Sequence, residues 1–117
     1  MTSYDNRCIE IDPATRTIMV VNVNDYHHIR EKLHADPYSR HCEWLPLTAA
    51  DQEGYREVLI VNTPKQAEKV RSYFTYNGLV HKGRAIIVRM KTVGTEIKGS
   101  ELTEDAVKAS VRFEAHD

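Results

Sequence analysis

The apolar residues of this chain come in short runs separated by turn-forming residues, and that spacing sets the scale of what it can build. The longest runs, such as Ile18 to Val21 and Ala85 to Val88, fall far below the ~20 residues that a membrane-crossing helix requires. They have the length of sheet strands. From Cys8 to Val23 two such runs flank the turn-forming group Asp12-Pro13-Ala14-Thr15, which predicts a hairpin-like lead-in followed by a strand over Thr17 to Val23.

The remaining elements follow from the same punctuation. Asn24 or Asp25 is placed to cap a helix whose apolar stripe is Tyr26, Ile29 and Leu33, ending before Asp36-Pro37. His41 to Leu47 reads as a short strand, and Pro46 inside it assigns that strand to a sheet edge, because proline donates nothing to a ladder. After a loop from Thr48 to Gly54, Tyr55 to Asn62 reads as a strand. It runs into Thr63-Pro64-Lys65-Gln66, where threonine is a helix cap, proline the first helical residue and glutamine the partner in a capping box. Ala67, Val70 and Phe74 then supply a helical stripe that Asn77-Gly78 stops. Arg84 to Met90 is a strand with Ile86, Val88 and Met90 on one face. Lys91 to Ser100 reads as a flexible connection, and a last helix starts at Thr103 with Leu102 and Val107 as a hydrophobic staple.

The order is β-α-β-β-α-β plus a C-terminal helix. That predicts an α+β, ferredoxin-like split β-α-β fold, with two helices on one face of a four-stranded antiparallel sheet. Residues 1–16 form the lead-in, 17–91 the domain, and 92–117 the linker and terminal helix.

Composition narrows the class of protein. With 117 residues, 41% apolar and 28% charged, the chain supports one core and lies outside the disordered, collagenous and disulfide-rich classes. Only Cys8 and Cys42 could pair, and Met1 to Glu10 carries Asp5, Arg7 and Glu10 with no apolar stretch of a secretory signal. An intracellular location, cytoplasmic or nuclear, with both cysteines as thiols is therefore expected. The net charge of −1 conceals a block pattern. Residues 1–63 hold 6 Lys/Arg against 10 Asp/Glu, residues 64–91 hold 7 against 1, and residues 92–117 hold 3 against 6. The basic middle block suggests an anionic partner, or else a solvated face.

Several residues at these positions resemble the RNA recognition motif. Ile18-Met19-Val20-Val21-Asn22-Val23 is similar to that family's first-strand hexamer, and Glu53 to Ile60, with Gly54, Tyr55 and Val58, is similar to its third-strand octamer. Ala67-Glu68-Lys69-Val70, Tyr76-Asn77-Gly78, Lys82-Gly83-Arg84 and Ile86-Ile87-Val88 resemble the second helix, its turn and the fourth strand. The resemblance covers about Thr17 to Lys91 and implies an open sheet face on which single-stranded RNA bases stack. Of the three stacking positions it implies, Met19, Tyr55 and Glu57, only Tyr55 is aromatic, and Glu57 would repel a phosphate backbone. At roughly 1–3 kcal/mol per stacked base, two lost platforms remove about 4 kcal/mol.

Alternation along the strands points Ile18, Val20, Val58, Ile60, Ile86 and Val88 toward the helices. The outward face is then apolar: Met19, Val21, Leu59 and Ile87, with Tyr55 and, from the edge strand, Trp44. Such a face calls for a cover. The terminal segment with Leu102, Val107, Val111 or Phe113, a protein partner, or a second copy of the domain would each supply one. Arg84, Arg89 and Lys91, with Tyr55, are the candidates for RNA contact, whereas Lys65 and Lys69 read as a solvated helix face.

Catalytic and metal chemistry find little footing. His27, His28, His34, His41 and Cys42 lack the paired short spacings of a zinc site, and adjacent His41 and Cys42 point to opposite faces of a strand. No glycine-rich phosphate loop occurs. The expectation is thus a non-catalytic module without cofactor or metal, acting in an RNA-processing or ribonucleoprotein complex mainly through protein contact, as a homo- or heterodimer, with weak RNA contact and no membrane. Two alternatives stand beside it: a sequence-tolerant single-stranded RNA binder, and a small regulatory or inhibitor protein of the same fold.

Overall fold

A computed structural model describes residues 6–33, 39–64, 69–94 and 96–115. These residues form nine strands in two sheets and two helices, not a four-stranded sheet with helices on one side. The strands are β1 (Asn6–Asp12), β2 (Thr17–Val23), β3 (Ser39–Pro46), β4 (Tyr55–Pro64), β5 (Ser72–Tyr76), β6 (Leu79–His81), β7 (Ala85–Lys91), β8 (Ile97–Lys98) and β9 (Val111–Ala115). The helices are α1 (Tyr26–Leu33) and α2 (Glu104–Ser110). The main sheet runs β2-β1-β7-β4-β3 with β8 added on β7, and a smaller sheet runs β6-β5-β9. All pairings are antiparallel.

The lead-in is a full hairpin, with β1 and β2 in register from Asn6 opposite Val23 to Asp12 opposite Thr17. β1 then pairs on its other side with β7, so β2 is left at the edge of the sheet. α1 forms where the capping pattern places it: the Asp25 carboxylate accepts the His28 N–H at 2.9 Å, and Ile29 and Leu33 are buried. The chain passes from the β2 edge to the opposite edge, where β3 lies with Pro46 as its last residue.

The ferredoxin-like expectation fails at Ser72 to Tyr76. That segment is strand β5, joined to β6 by Asn77-Gly78 with φ of 49° and 89°. The dipeptide read as a helix stop is instead the turn of a tight hairpin, which needs positive φ at both central residues. Tyr73-Phe74-Thr75-Tyr76 is rich in aromatic and β-branched residues, and packing against a neighbouring strand outweighs the three-and-four spacing of Val70 and Phe74. Thr63 and Pro64, expected to open a helix, extend β4 in pairing with β3. Residues 65–68, with the remainder of the capping box, lie outside the described residues.

The terminal segment is corrected in the same direction. The cap holds, since Thr103 Oγ1 accepts the Ala106 N–H at 3.0 Å and Leu102 and Val107 join one core. The helix ends at Ser110, and Val111, with φ −106° and ψ 138°, starts β9, which pairs with β5. Alternation of Val111 and Phe113 with Arg112 and Glu114 has the period of a strand.

Both faces of the main sheet are covered. One carries Ile9, Ile11, Leu59, Val61, Ala85 and Ile87 under Phe74 and Tyr76 of β5 and Val107 of α2. The other carries Val58, Ile60, Ile86, Val88 and Met90 under Ile29 and Leu33 of α1. Runs that are apolar at every position, such as Val58 to Val61 and Ala85 to Val88, are what strands buried on two sides require. The alternation read for β4 and β7 is the one formed. Ile18 of β2, however, packs in the Leu59 and Ile87 core, so β2 is inverted relative to the expected phase.

The stretch from Lys91 to Ser100 is tied down at several points. Lys91 N–H donates to Glu96 O at 3.1 Å and Ser100 N–H to Arg7 O at 2.6 Å. The Arg7 guanidinium donates to Leu102 O at 2.6 Å. A Cβ on Gly99 would meet Arg7 N at 3.1 Å, so glycine lets this segment lie close against β1.

Candidate functional site

Three of the four residues expected at an RNA surface do converge. Lys91 stands opposite Tyr55 and Arg89 opposite Glu57 in the β4–β7 ladder, and Lys98 of β8 stands opposite Arg89. Lys98 Nζ lies 4.4 Å and Lys91 Nζ 5.7 Å from the centroid of the Tyr55 ring. Arg84 is remote, just before the start of β7, where it pairs with Asp12 at 3.4 Å.

The electrostatics of this cluster do not favour a phosphate chain. Arg89 pairs with Asp51 at 3.6 Å and Glu101 at 3.1 Å, Lys91 with Glu96 at 3.6 Å, and Lys98 with Glu53 at 3.3 Å. With Glu57, five carboxylates face three cations. The Tyr55 N–H, followed by that of Glu53 and the charge of Arg89, holds the Asp51 carboxyl below its usual range. Tyr55 O–H donates to Glu96 Oε2 at 2.8 Å, which raises the phenol and lowers the carboxyl, and the tyrosine is only 7% exposed. Its ring offers no open platform for a base.

Glu57 has a role that spacing alone did not reveal. It is 5% exposed and accepts Ser100 Oγ–H at 2.6 Å and Glu101 N–H at 2.9 Å. It clasps the segment leading to α2 onto the sheet. An open cleft of about 260 Å³ beside it is lined by Thr48, Asp51, Arg89, Glu101 and Leu102.

The expected stacking platform does not assemble. Met19 and Tyr55 are separated by β1 and β7 in the sheet. They also face opposite ways: Glu10 pairs with both Met19 and Ile86, on the α1 side, whereas Tyr55 and Glu57 share the face of Leu59.

The expected protein-binding face is likewise dispersed. Leu59 and Ile87 are buried in the core beneath Leu102, Val107, Val111 and Phe113, so the terminal segment, together with β5, supplies the cover. Val21 is half-buried. Trp44, on edge strand β3, meets Tyr26 edge-on with centroids 5.1 Å apart. Met19 remains 49% exposed, beside Val20 at 41%.

A second cavity, of about 150 Å³, lies among Asp12, Leu33, Asn62, Ser72, Lys82 and Arg84. The Asn62 amide donates to the carbonyl of Leu33, which fixes its orientation, and its Oδ1 has no hydrogen-bond partner among the described residues. A donor of a few heavy atoms, water included, satisfies such an acceptor.

Residues suited to metal or nucleophilic chemistry are engaged elsewhere. His27 pairs with Glu31 at 2.9 Å, and His28 Nδ1 accepts the Asn24 N–H at 3.2 Å. Burial, aided by the charge of Glu57, pushes the Cys8 thiol up to about 12, and burial also raises that of Cys42. His34 and the His41 side chain lie outside the described set. Among the described residues no three His, Cys, Asp or Glu side chains are grouped to hold a metal, and no helix is long and apolar enough to cross a membrane.

No family model, curated protein or solved structure matches this chain. The likeness to the RNA recognition motif rests on the quoted residues alone, and the fold it implied is not the one formed.

Proposed function

We propose that this protein is a non-catalytic assembly module that binds another polypeptide by adding a strand along the outer edge of β2. The observation that carries this reading is the character of that edge. β2 reads Thr-Ile-Met-Val-Val-Asn-Val, with no charge in seven residues, pairs among the described residues with β1 alone, and exposes Met19 and Val20. Sheet edges left to water are ordinarily guarded by charge, proline or shortness. The other edges here follow that rule: β3 carries Glu43 and Pro46, β9 carries Arg112 and Glu114, and β6 is three residues long. Strand addition gives affinity through main-chain hydrogen bonds and selectivity through alternate side chains.

RNA contact has no part in this reading, because the cations that would hold phosphates are paired with carboxylates of the same chain. The test is a pull-down from native extract, with and without nuclease, using the wild-type chain and Val20→Lys. Partners that survive nuclease and are lost with Val20→Lys support the edge. Release of every partner by nuclease, or an unchanged set on the variant, overturns it.

A further inference from the structure

We infer that the strand added to β2 comes from a second copy of this chain, paired antiparallel about a two-fold axis at Val20. The inference rests on the reading of β2 as a docking edge and names its occupant. In this register Val20 faces Val20 of the partner subunit, Met19 faces Val21, Ile18 faces Asn22, and Thr17 faces Val23. The two residues of β2 that stand most exposed among its apolar ones, Met19 and Val20, thereby each meet an apolar residue across the axis. Like charges placed opposite one another weaken a strand pair, and self-pairing forces every charge on a strand to meet itself or its mirror position. A seven-residue strand without a single charge is free of that conflict.

The flanks supply complementarity as well. Arg16 is the last residue of the β1–β2 turn, just before β2, and Asp25 lies two residues past its end at the cap of α1, so pairing about Val20 brings the Arg16 end of one β2 beside the Asp25 end of the other. Arg16 and Asp25 are both exposed, and among the described residues neither is in an ion pair within the chain. The symmetric pairing uses both, twice. It also joins the two main sheets into one continuous sheet whose outer ends, among the described strands, are the guarded β3 edges. A heterologous strand covers β2 but supplies no such reason for an exposed cation at one end of β2 and an exposed carboxylate just past the other.

The test uses light scattering on the full chain, with Val20→Lys and Val20→Glu measured alone and as an equimolar mixture. The expected result is twice the chain mass for wild type, dissociation at least about tenfold easier for each variant alone, and return of the double mass on mixing, since lysine then faces glutamate at the axis. Val20→Cys gives an independent reading that needs no charged variant to fold. Under mild oxidation it cross-links two copies, because residue 20 is the position that faces itself, whereas Thr17→Cys does not. A wild-type chain that stays monomeric up to about 200 µM, far above a micromolar Kd, overturns self-pairing. The proposal for β2 as an edge for other proteins is then judged by the nuclease-resistant, Val20-dependent capture described above. A dimer that survives Val20→Lys unchanged, or cross-linking at Thr17→Cys in place of Val20→Cys, overturns the register and the inference with it.

Discussion

The hydroxyl of Ser100 donates a 2.6 Å hydrogen bond to the buried carboxylate of Glu57, 43 residues earlier in the chain. With the Glu101 N–H on the other oxygen, the pair fixes the segment that carries α2 and β9 over the core. Hydrogen bonds to a charged group contribute roughly 1.5–3 kcal/mol each, and loss of the acceptor strands two donors. Glu57→Ala is expected to lower unfolding stability by about 3 kcal/mol, measured by urea denaturation, and to speed amide exchange over residues 97–102. Glu57→Gln, which keeps an acceptor for one of the two, should lose about half as much.

The β5–β6 turn gives a second prediction. Gly78 has φ of 89°, in the left-handed region that side chains with a Cβ adopt at a cost of roughly 1–2 kcal/mol. Nothing lies within 4 Å of a Cβ built there, so the penalty is conformational and not steric. Gly78→Ala should destabilise the protein by about that amount in equilibrium unfolding. Loss of less than about 0.3 kcal/mol would mean that the turn has another shape.

Acid sensitivity should appear before the carboxylates titrate. His81 is buried on β6 with its ring centroid 5.2 Å from that of Phe74, and burial, partly offset by the charge of Glu43, holds its pKa below the ordinary 6.5. The fold therefore prefers the neutral imidazole. The unfolded chain takes up this proton near pH 6.5, while the folded chain does so only at lower pH. The contribution is complete above about pH 6.5 and is lost as pH falls through the folded value. Asp51 and Glu96 are held low and act at still lower pH. Denaturation midpoints should decline as pH falls below about 6.5, and His81→Phe should flatten that slope.

Thiol chemistry offers a probe of the core. Cys8 is fully buried and its thiol is raised to about 12, so the reactive thiolate is scarce at pH 8. In a Cys42→Ser background, a disulfide reagent should label Cys8 at a rate set by unfolding, and added urea should accelerate it. Fast labelling of the native protein would show that β1 opens on its own.

The block pattern of charge illustrates what sequence and structure each contribute. The basic stretch from residue 64 to 91 suggested an external anion, yet its strand cations meet acidic residues from both flanking blocks: Arg84 meets Asp12, Arg89 meets Asp51 and Glu101, and Lys91 meets Glu96. Clustering along the chain was legible, and most of the partners were not: Lys91 meets Glu96 five residues on, whereas Arg84 and Arg89 meet carboxylates that only the folded chain brings beside β7. That Tyr55 and Arg89 share one face could be read from strand phase; that β4 and β7 lie side by side and bring them together with Lys91 could not. That Tyr55 would be covered could not.

Local signals determined the elements they govern: the Asp12-Pro13 turn, the Asp25 cap of α1, the edge position of β3, the Thr103 cap with its Leu102 and Val107 staple, and the side-chain phase of β4 and β7. Each depends on a few neighbouring residues and the fixed geometry of a turn, helix or pleat. Tertiary structure alone decided that Asn77-Gly78 joins two strands, that β1 separates β2 from β7, and that Leu59 and Ile87 lie beneath a second sheet. Those outcomes turn on which apolar faces find one another across tens of residues. The same short run serves equally well on an open sheet or inside a closed one until its partner is known.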